Sequence, residues 1–309
     1  MATRTQLDLV AVIPAGPPTR MDFLLDTIAS VEFWTGPRRR IIVMDDSGVG
    51  RFAPLAQRSP ELVVIPTPRV LGRYWGMYAS LSMAYRYAAE NYDFPCLLRL
   101  DDDALVIGPH PERDAAAYFA LHPNVGVAGA YRYHDDGTPR GLWYPRRELK
   151  RELSWRQGLR HRRRWGVYRR LVARAQAHGY ELGENCLGGA MFLSPAGIRR
   201  LLEADMLPLA GLEGTYLEED HIFALLVKAL GMDLGEFAAG GCPMGISLPG
   251  LPCAPQELLD RGKKVTHSLR YWADMDQDMI RTFFRDHRQA VADAGGRGAP
   301  PGAGAGARS

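Results

Sequence analysis

The sequence predicts an α/β domain: a mostly parallel central sheet with helices on both faces. Three observations lead there. Short continuous apolar runs alternate with segments whose apolar residues recur at helical spacing. The resulting strand–helix–strand order implies parallel strands joined by crossover helices. Two acidic clusters, at Asp45 and at Asp101, each follow directly on an apolar run. That places them at carboxyl ends of strands, where open α/β sheets bind their ligands.

The elements follow in order. Residues 9–14 form a buried strand ended by Pro14 and Gly16, and residues 21–33 a helix with Phe23, Leu24, Thr27, Ile28 and Val31 at helical spacing. Residues 40–44 are a second strand, closed by Asp45-Asp46-Ser47-Gly48, and residues 62–65 a third. A long helix is expected over 74–92, with Met77, Leu81, Ala84, Tyr85 and Ala88 on one face. Residues 95–100 give a fourth strand running into Asp101-Asp102-Asp103, and 125–131 a fifth. From 135 to 184 the pattern weakens and becomes basic. A strand resumes at 187–193, followed by helices at 195–206 and 218–230. From Ala294 onward the chain is Gly, Ala, Pro and Arg apart from Ser309, a composition expected to be a disordered tail. One domain over 1–293 therefore divides into 1–131, a basic insertion at 135–184, and 185–293, with the tail at 294–309.

Hydrophobic residues make up 46% of the 309 residues, enough to bury a large core without disulfides or metal staples. Cys96, Cys186, Cys242 and Cys253 form no CxxC pair and no zinc spacing, and are expected to be free thiols in a reducing compartment. Residues 1–8 are polar with no apolar signal region after them, and no apolar run approaches the roughly 20 residues that span a bilayer. The expectation is a cytoplasmic, soluble protein whose membrane contact, if any, is peripheral at the inner face. The formal net charge is only +3, yet residues 146–174 hold twelve Arg or Lys against two Glu, so the remainder is acidic by about seven charges.

Four groups of residues bear on chemistry. Asp101-Asp102-Asp103 at a strand end form a hard-oxygen site suited to Mg²⁺ or Mn²⁺, and such an ion can bridge the phosphates of a nucleoside diphosphate; a solvated, capping acidic turn is the alternative. Asp45 or Asp46 at the second strand end can accept from a base or a ribose, although Asp-Asp-Ser-Gly also suits a plain turn. Glu218-Glu219-Asp220 open a helix, where the dipole alone accounts for two of the three carboxylates and a general base for one. Gly188-Gly189 mark close backbone approach of a ligand or tight packing. Late in the chain, His267 suits a further ligand to a cation held by Asp103, and Lys263, Lys264 and Arg270 suit phosphate neutralisation or an ordinary surface.

The order and spacing of these segments, from about residue 9 to 270, resemble the family 2-like nucleotide-sugar glycosyltransferases of the GT-A (Rossmann-like) fold. Val10-Ala11-Val12-Ile13-Pro14 resembles that family's first nucleotide-binding strand, with Ala15-Gly16-Pro17-Pro18 in place of its usual polar residues. Met44-Asp45-Asp46 resembles its base-contacting Asp-Asp motif, Leu71-Gly72-Arg73 its donor-side helix entry, and Leu100-Asp101-Asp102-Asp103 its DxD motif. Gly188-Gly189-Ala190 resembles its acceptor-side segment, and Glu218-Glu219-Asp220 its Glu-Asp motif; His267 is similar to a late metal-ligand His.

The resemblance implies a metal-dependent glycosyltransferase using a nucleoside diphosphate-sugar, UDP-sugar favoured, on an unidentified acceptor. Pro14, Asp45, Asp46, Arg73, Asp101 and Asp102 would bind the donor, and Asp103 and His267 the Mn²⁺ or Mg²⁺. Gly188, Gly189 and Glu219 would lie on the acceptor side, with Asp220 as the base of an inverting displacement. The basic segment 146–174, with Trp155, Leu159 and Trp165 among its arginines, lies outside the shared pattern. It suits a membrane surface or an anionic acceptor, or a solvated helical insertion; no nucleic-acid partner is expected, because the basic charge is confined to it. Two rivals stand beside this reading. A sugar nucleotidyltransferase would need a Gly-rich loop with a Lys or Arg straight after the first strand, poorly matched by Ala15-Gly16-Pro17-Pro18-Thr19-Arg20. A non-catalytic nucleotide or carbohydrate binder would release no diphosphate and have no use for Asp220.

Overall fold

The computed structural model describes residues 4–296. The amino-terminal half alternates strand and helix: β1 (Leu9–Ala15), α1 (Met21–Trp34), β2 (Arg39–Asp45), β3 (Leu62–Pro66), α2 (Trp75–Asn91), β4 (Leu97–Leu100), β5 (Ala104–Val106), α3 (Pro111–Leu121) and β6 (Val125–Gly129). Three helices follow, α4 (Trp143–Glu152), α5 (Trp155–Arg160) and α6 (Arg162–Ala177). The chain then forms β7 (Ala190–Leu193), α7 (Pro195–Glu203), α8 (Glu219–Ala229), β8 (Asp233–Glu236) and β9 (Met244–Ile246). It ends with α9 (Pro255–Asp260), β10 (Val265–His267) and α10 (Gln277–Gly296).

Seven strands form the central sheet in the order β8-β6-β7-β4-β1-β2-β3. β1 pairs in parallel with β2 and β4, β2 with β3, and β8 with β6; β7 alone runs antiparallel, between β4 and β6. The expected α/β architecture is therefore the observed one. β1 shows why its sequence reads as one unbroken apolar run. Leu9, Ala11 and Ile13 pack with α1 on one face, Val10 and Val12 with α2, α6 and α8 on the other, so no position is left for a polar residue.

Several boundaries differ from the sequence reading. β7 begins at Ala190, not 187, because Gly189 has φ +94° and its carbonyl accepts from the amide of Asp101. A second sheet, β9-β10-β5, was not anticipated; its three-residue strands are too short to show periodicity. α10 was also not anticipated, and it runs three residues into the expected tail; the rest of that tail lies outside the described residues. Its buried Arg281 reaches Asp26 of α1 at 2.9 Å, and Arg288 pairs with the same carboxylate. Arg281 also donates to the Asp102 carbonyl, so α10 braces the Asp101–Asp103 turn.

The basic insertion is half core and half surface. On α6, Val167, Tyr168, Leu171, Val172 and Ala175 recur at helical spacing and are buried in one core with α8 and α2. Each large apolar side chain there contributes about 1.5–3 kcal/mol by leaving water. Buried Arg164 pairs with buried Glu152 at 3.1 Å and ties α6 to α4. All four cysteines are free, and no helix among the described residues is long and apolar enough to cross a membrane.

Candidate active site

A cavity of about 550 Å³ lies at the carboxyl ends of β1, β2 and β4. Pro14 and the turn at Gly16–Arg20 form one wall; that turn is closed by Thr19, whose Oγ1 accepts from the Gly16 amide. Asp46, Gly72, Arg73 and Tyr74 form a second wall, Asp101, Asp102 and Asp103 the floor, and Glu218 and Glu219 the far side beside α8. Arg270 closes the rim. Segments far apart in sequence meet here because parallel strands all end at one edge.

The two carboxylates after β2 do different things. Asp45 is buried and does not line the cavity; its oxygens accept from the amides of Ser47 (3.0 Å) and Phe52 (2.9 Å), folding the following turn. Asp46 lines the cavity while accepting from Thr67 Oγ1 (2.8 Å), the Leu71 amide (2.7 Å) and the Gly72 amide (2.8 Å). It thereby holds the loop that presents Arg73 and Tyr74.

The floor is a candidate cation site. Asp101, Asp103 and His267 each offer a ligand atom, and these atoms lie within 4.8 Å of one another. β10 brings His267 there by pairing antiparallel with β5, opposite Ala104. Its Nε2 lies 3.1 Å from Asp103 Oδ1, while Asp103 Oδ2 accepts from Ser268 Oγ (3.0 Å) and Arg270 Nε (2.9 Å). Burial would raise the Asp103 carboxyl, but His267, Arg270 and Ser268 outweigh it and hold it well below the usual range. Asp101 behaves oppositely: burial, with Asp103, Glu219 and Asp102 nearby, drives it well above the usual range against the pull of Arg99. A divalent cation held there would relieve that repulsion, and among the described residues the buried His267 Nδ1 has no hydrogen-bond partner. Two carboxylates on a cavity floor, with a buried imidazole against one of them, fit Mn²⁺ or Mg²⁺.

Gly189 has a definite reason to be glycine. Besides its positive φ, its Cα faces the His267 ring so closely that no side chain fits between them. Gly188 lies next to Asp220, where an added Cβ would stand 3.4 Å from Oδ2. Neither glycine lines the cavity; they form a second layer behind it.

The triplet at the start of α8 is divided among three tasks. Glu219 is buried and its Oε1 lies 2.6 Å from Arg99 Nη2. The same nitrogen is 2.8 Å from Asp101 Oδ1, so Arg99 bridges the floor and the far side. Burial works against the Arg99 charge, but Asp101 and Glu219 outweigh it and keep it protonated. Asp220 does not line the cavity: Oδ2 accepts from Asn185 Nδ2 (2.7 Å) and Oδ1 from the His221 amide (2.9 Å). Glu218 does line it, and its nearest cation is the exposed Arg73 at 3.5 Å. Burial, with Glu219 and Asp220 adjacent, pushes the Glu218 carboxyl up to about 7.

Arg99 and Tyr74 line the cavity although sequence reasoning gave them no role, and Glu218 entered it only as one of three acidic residues at the start of a helix. A visible signal existed for Arg99, a charge inside the apolar run Leu97-Leu98-Arg99-Leu100. Of the late basic residues only Arg270 lines the cavity. Lys263 is buried, donating to the carbonyls of Ala238, Gly240 and Cys242 and pairing with Asp135, and Lys264 pairs with Asp114. Arg20, on the cavity wall, pairs with Asp22 and Asp278.

No protein-family model and no curated protein matches the chain. Among solved structures the chain is similar to the mannosyltransferase PcManGT from Pyrobaculum calidifontis in complex with GDP-Man and Mn²⁺, at 15% identity and TM-score 0.42. That alignment covers 74% of this chain and 54% of the other, so the chain spans about half of that protein's length. The galactosyltransferase LgtC, solved with donor and acceptor sugar analogues, aligns at 12% identity and TM-score 0.45 over 91% and 95% of the two chains. TarS residues 1–349 from S. aureus align at 12% identity and TM-score 0.44, over 94% of this chain and 74% of that one.

Proposed function

We propose that the chain is a GT-A-type glycosyltransferase that moves a sugar from a nucleoside diphosphate-sugar to an acceptor hydroxyl, with a divalent cation. One observation carries the reading. Asp101 and Asp103 lie on the floor of a cavity at the carboxyl ends of parallel strands, the buried His267 stands against Asp103 with a ligand atom near both carboxylates, and a further carboxylate, Glu218, faces in at the start of α8. The nucleoside would lie along Pro14, Asp46 and Gly72, and the ribose near Asp101 and Asp102. A cation held by Asp101, Asp103 and His267 would neutralise the charge that develops on the leaving diphosphate. Arg270 at the rim supplies a second, fixed positive charge there.

Displacement at the anomeric carbon needs a base for the acceptor proton. Within the 218–220 triplet the reading favours Glu218, which lines the cavity and titrates near neutrality. Glu219 is committed to Arg99, and Asp220 to Asn185 and its own helix; Asp220 then acts by holding the start of α8 in place. A single displacement with this base inverts the anomeric configuration. UDP-sugar is the donor the sequence resemblance favours.

The test is nucleoside diphosphate release from a panel of UDP-, GDP- and dTDP-sugars, with Mn²⁺ or Mg²⁺ and with EDTA. Slow hydrolysis of one donor, abolished by EDTA and by Asp103→Asn, is the expected result. No release from any donor, together with no calorimetric binding of any of the corresponding nucleoside diphosphates in the presence of Mn²⁺, sinks the reading.

A further inference from the structure

The basic insertion has an outer surface that neither the core nor the cavity uses. Residues 153–180 contain eight arginines and no carboxylate. Arg164 alone of the eight is buried and paired with Glu152; the others are exposed, and among the described residues none of them is ion-paired. On α5 two large apolar side chains stand out beside them. Trp155 is 68% and Leu159 73% exposed, one helical turn apart, alternating with Arg156 and Arg160. Trp143 on α4 is similarly open.

We infer that this face of α4–α6 docks on an anionic phospholipid bilayer. Arginines ringing exposed Trp and Leu match both parts of such a surface: phosphate headgroups for the guanidiniums, the acyl boundary for the two apolar tips. A polyanion in solution would satisfy the arginines and leave Leu159 in water. The inner, apolar face of α6 is already occupied by the core, so the outer face is free for a partner. Beside the patch, Arg151 of α4 reaches toward the cavity. The Arg151 guanidinium lies 5.4 Å from the centre of the Tyr216 ring, and Tyr216 meets Tyr74, which lines the cavity, edge-on at 5.9 Å. A bilayer on this face would therefore hold the mouth of the cavity close to lipid-borne acceptors, a consequence that rests on the proposed function, whereas the docking itself does not.

The experiment is co-sedimentation of the full chain with vesicles of phosphatidylcholine alone and of phosphatidylcholine mixed with phosphatidylglycerol, at low and high salt, with duplex DNA as a competing polyanion. Binding to the mixed vesicles only, lost at high salt, is expected. The pair R156E/R160E should weaken it by about tenfold or more. The pair W155S/L159S, both at exposed positions and checked for unchanged Tm, should weaken vesicle binding while leaving any DNA binding unaltered. No binding to the anionic vesicles at low salt overturns the inference. So does vesicle binding that W155S/L159S leaves unchanged, because the patch would then be a general polyanion site. The assay contains no nucleotide, so its failure and that of the glycosyl-transfer reading are separate events.

Discussion

The ring of His267 occupies the space that a side chain at position 189 would need: a Cβ built on Gly189 stands 2.2 Å from His267 Cε1 and Nδ1. Gly189 and His267, 78 positions apart, therefore act as one unit. Gly189→Ala must displace the imidazole or the β7 entry, and its φ of +94° adds strain. We expect Mn²⁺ affinity to fall by about tenfold or more, as when the support of a metal ligand is lost. Calorimetric titration of Mn²⁺ into the variant measures this; wild-type affinity would show that His267 takes no part in cation binding.

Glu218 and Asp220 are separable by pH. A base must be ionised, so with Glu218 near 7 turnover should rise through neutrality and level off above it. Glu218→Gln should lower kcat by about 10² or more and abolish that limb. Asp220→Asn, which disturbs only the Asn185 contact and the helix start, should keep the limb with a smaller loss. Rate profiles of both variants decide, and loss of the limb in Asp220→Asn alone would return the base to Asp220.

Arg99 holds the buried Glu219 and the half-buried Asp101 together, and removing it leaves both unpaired. Arg99→Met should cost about 3–5 kcal/mol at neutral pH. The loss has a predictable sign. Asp101 and Glu219 both have raised pKa values in the folded state, so their protonated forms are favoured there and stability falls as pH rises above the unfolded value. Without Arg99 that fall steepens. Urea unfolding of the variant should show a larger deficit at pH 8 than at pH 5; an equal deficit would mean that Arg99 acts by packing alone.

Asp45 and Asp46 are adjacent and should respond differently. Asp45→Ala leaves the buried Phe52 amide without its acceptor and should cost about 1–3 kcal/mol of stability, with donor KM little changed. Asp46→Ala frees the Leu71 and Gly72 amides and the loop carrying Arg73, and should raise donor KM by about tenfold. Thermal melts paired with donor kinetics test the contrast. A raised KM in Asp45→Ala, at unchanged stability, would restore that residue to the donor site.

The apolar pattern was enough to place the sheet and the edge at which the cavity opens. Runs such as Val10–Pro14 and Arg40–Met44 are apolar at every interior position because both faces of a parallel strand are covered, and the acidic clusters after them then stand at the carboxyl edge whatever the details of packing. Asp101 and Asp103 were legible for that reason, and the triplet at 218–220 because its carboxylates open a helix. Local pattern could not say which way each carboxylate turns. Asp45 faces its own turn, Asp46 the cavity, and Asp220 faces Asn185, because those choices depend on amides and side chains supplied by distant segments. Nor could it place β10 and α10, whose Val265–His267 and Arg281 acquire meaning only against β5 and Asp26. The periodicity of a strand fixes a face, whereas the pairing of two charges is decided by where the rest of the chain puts the second one.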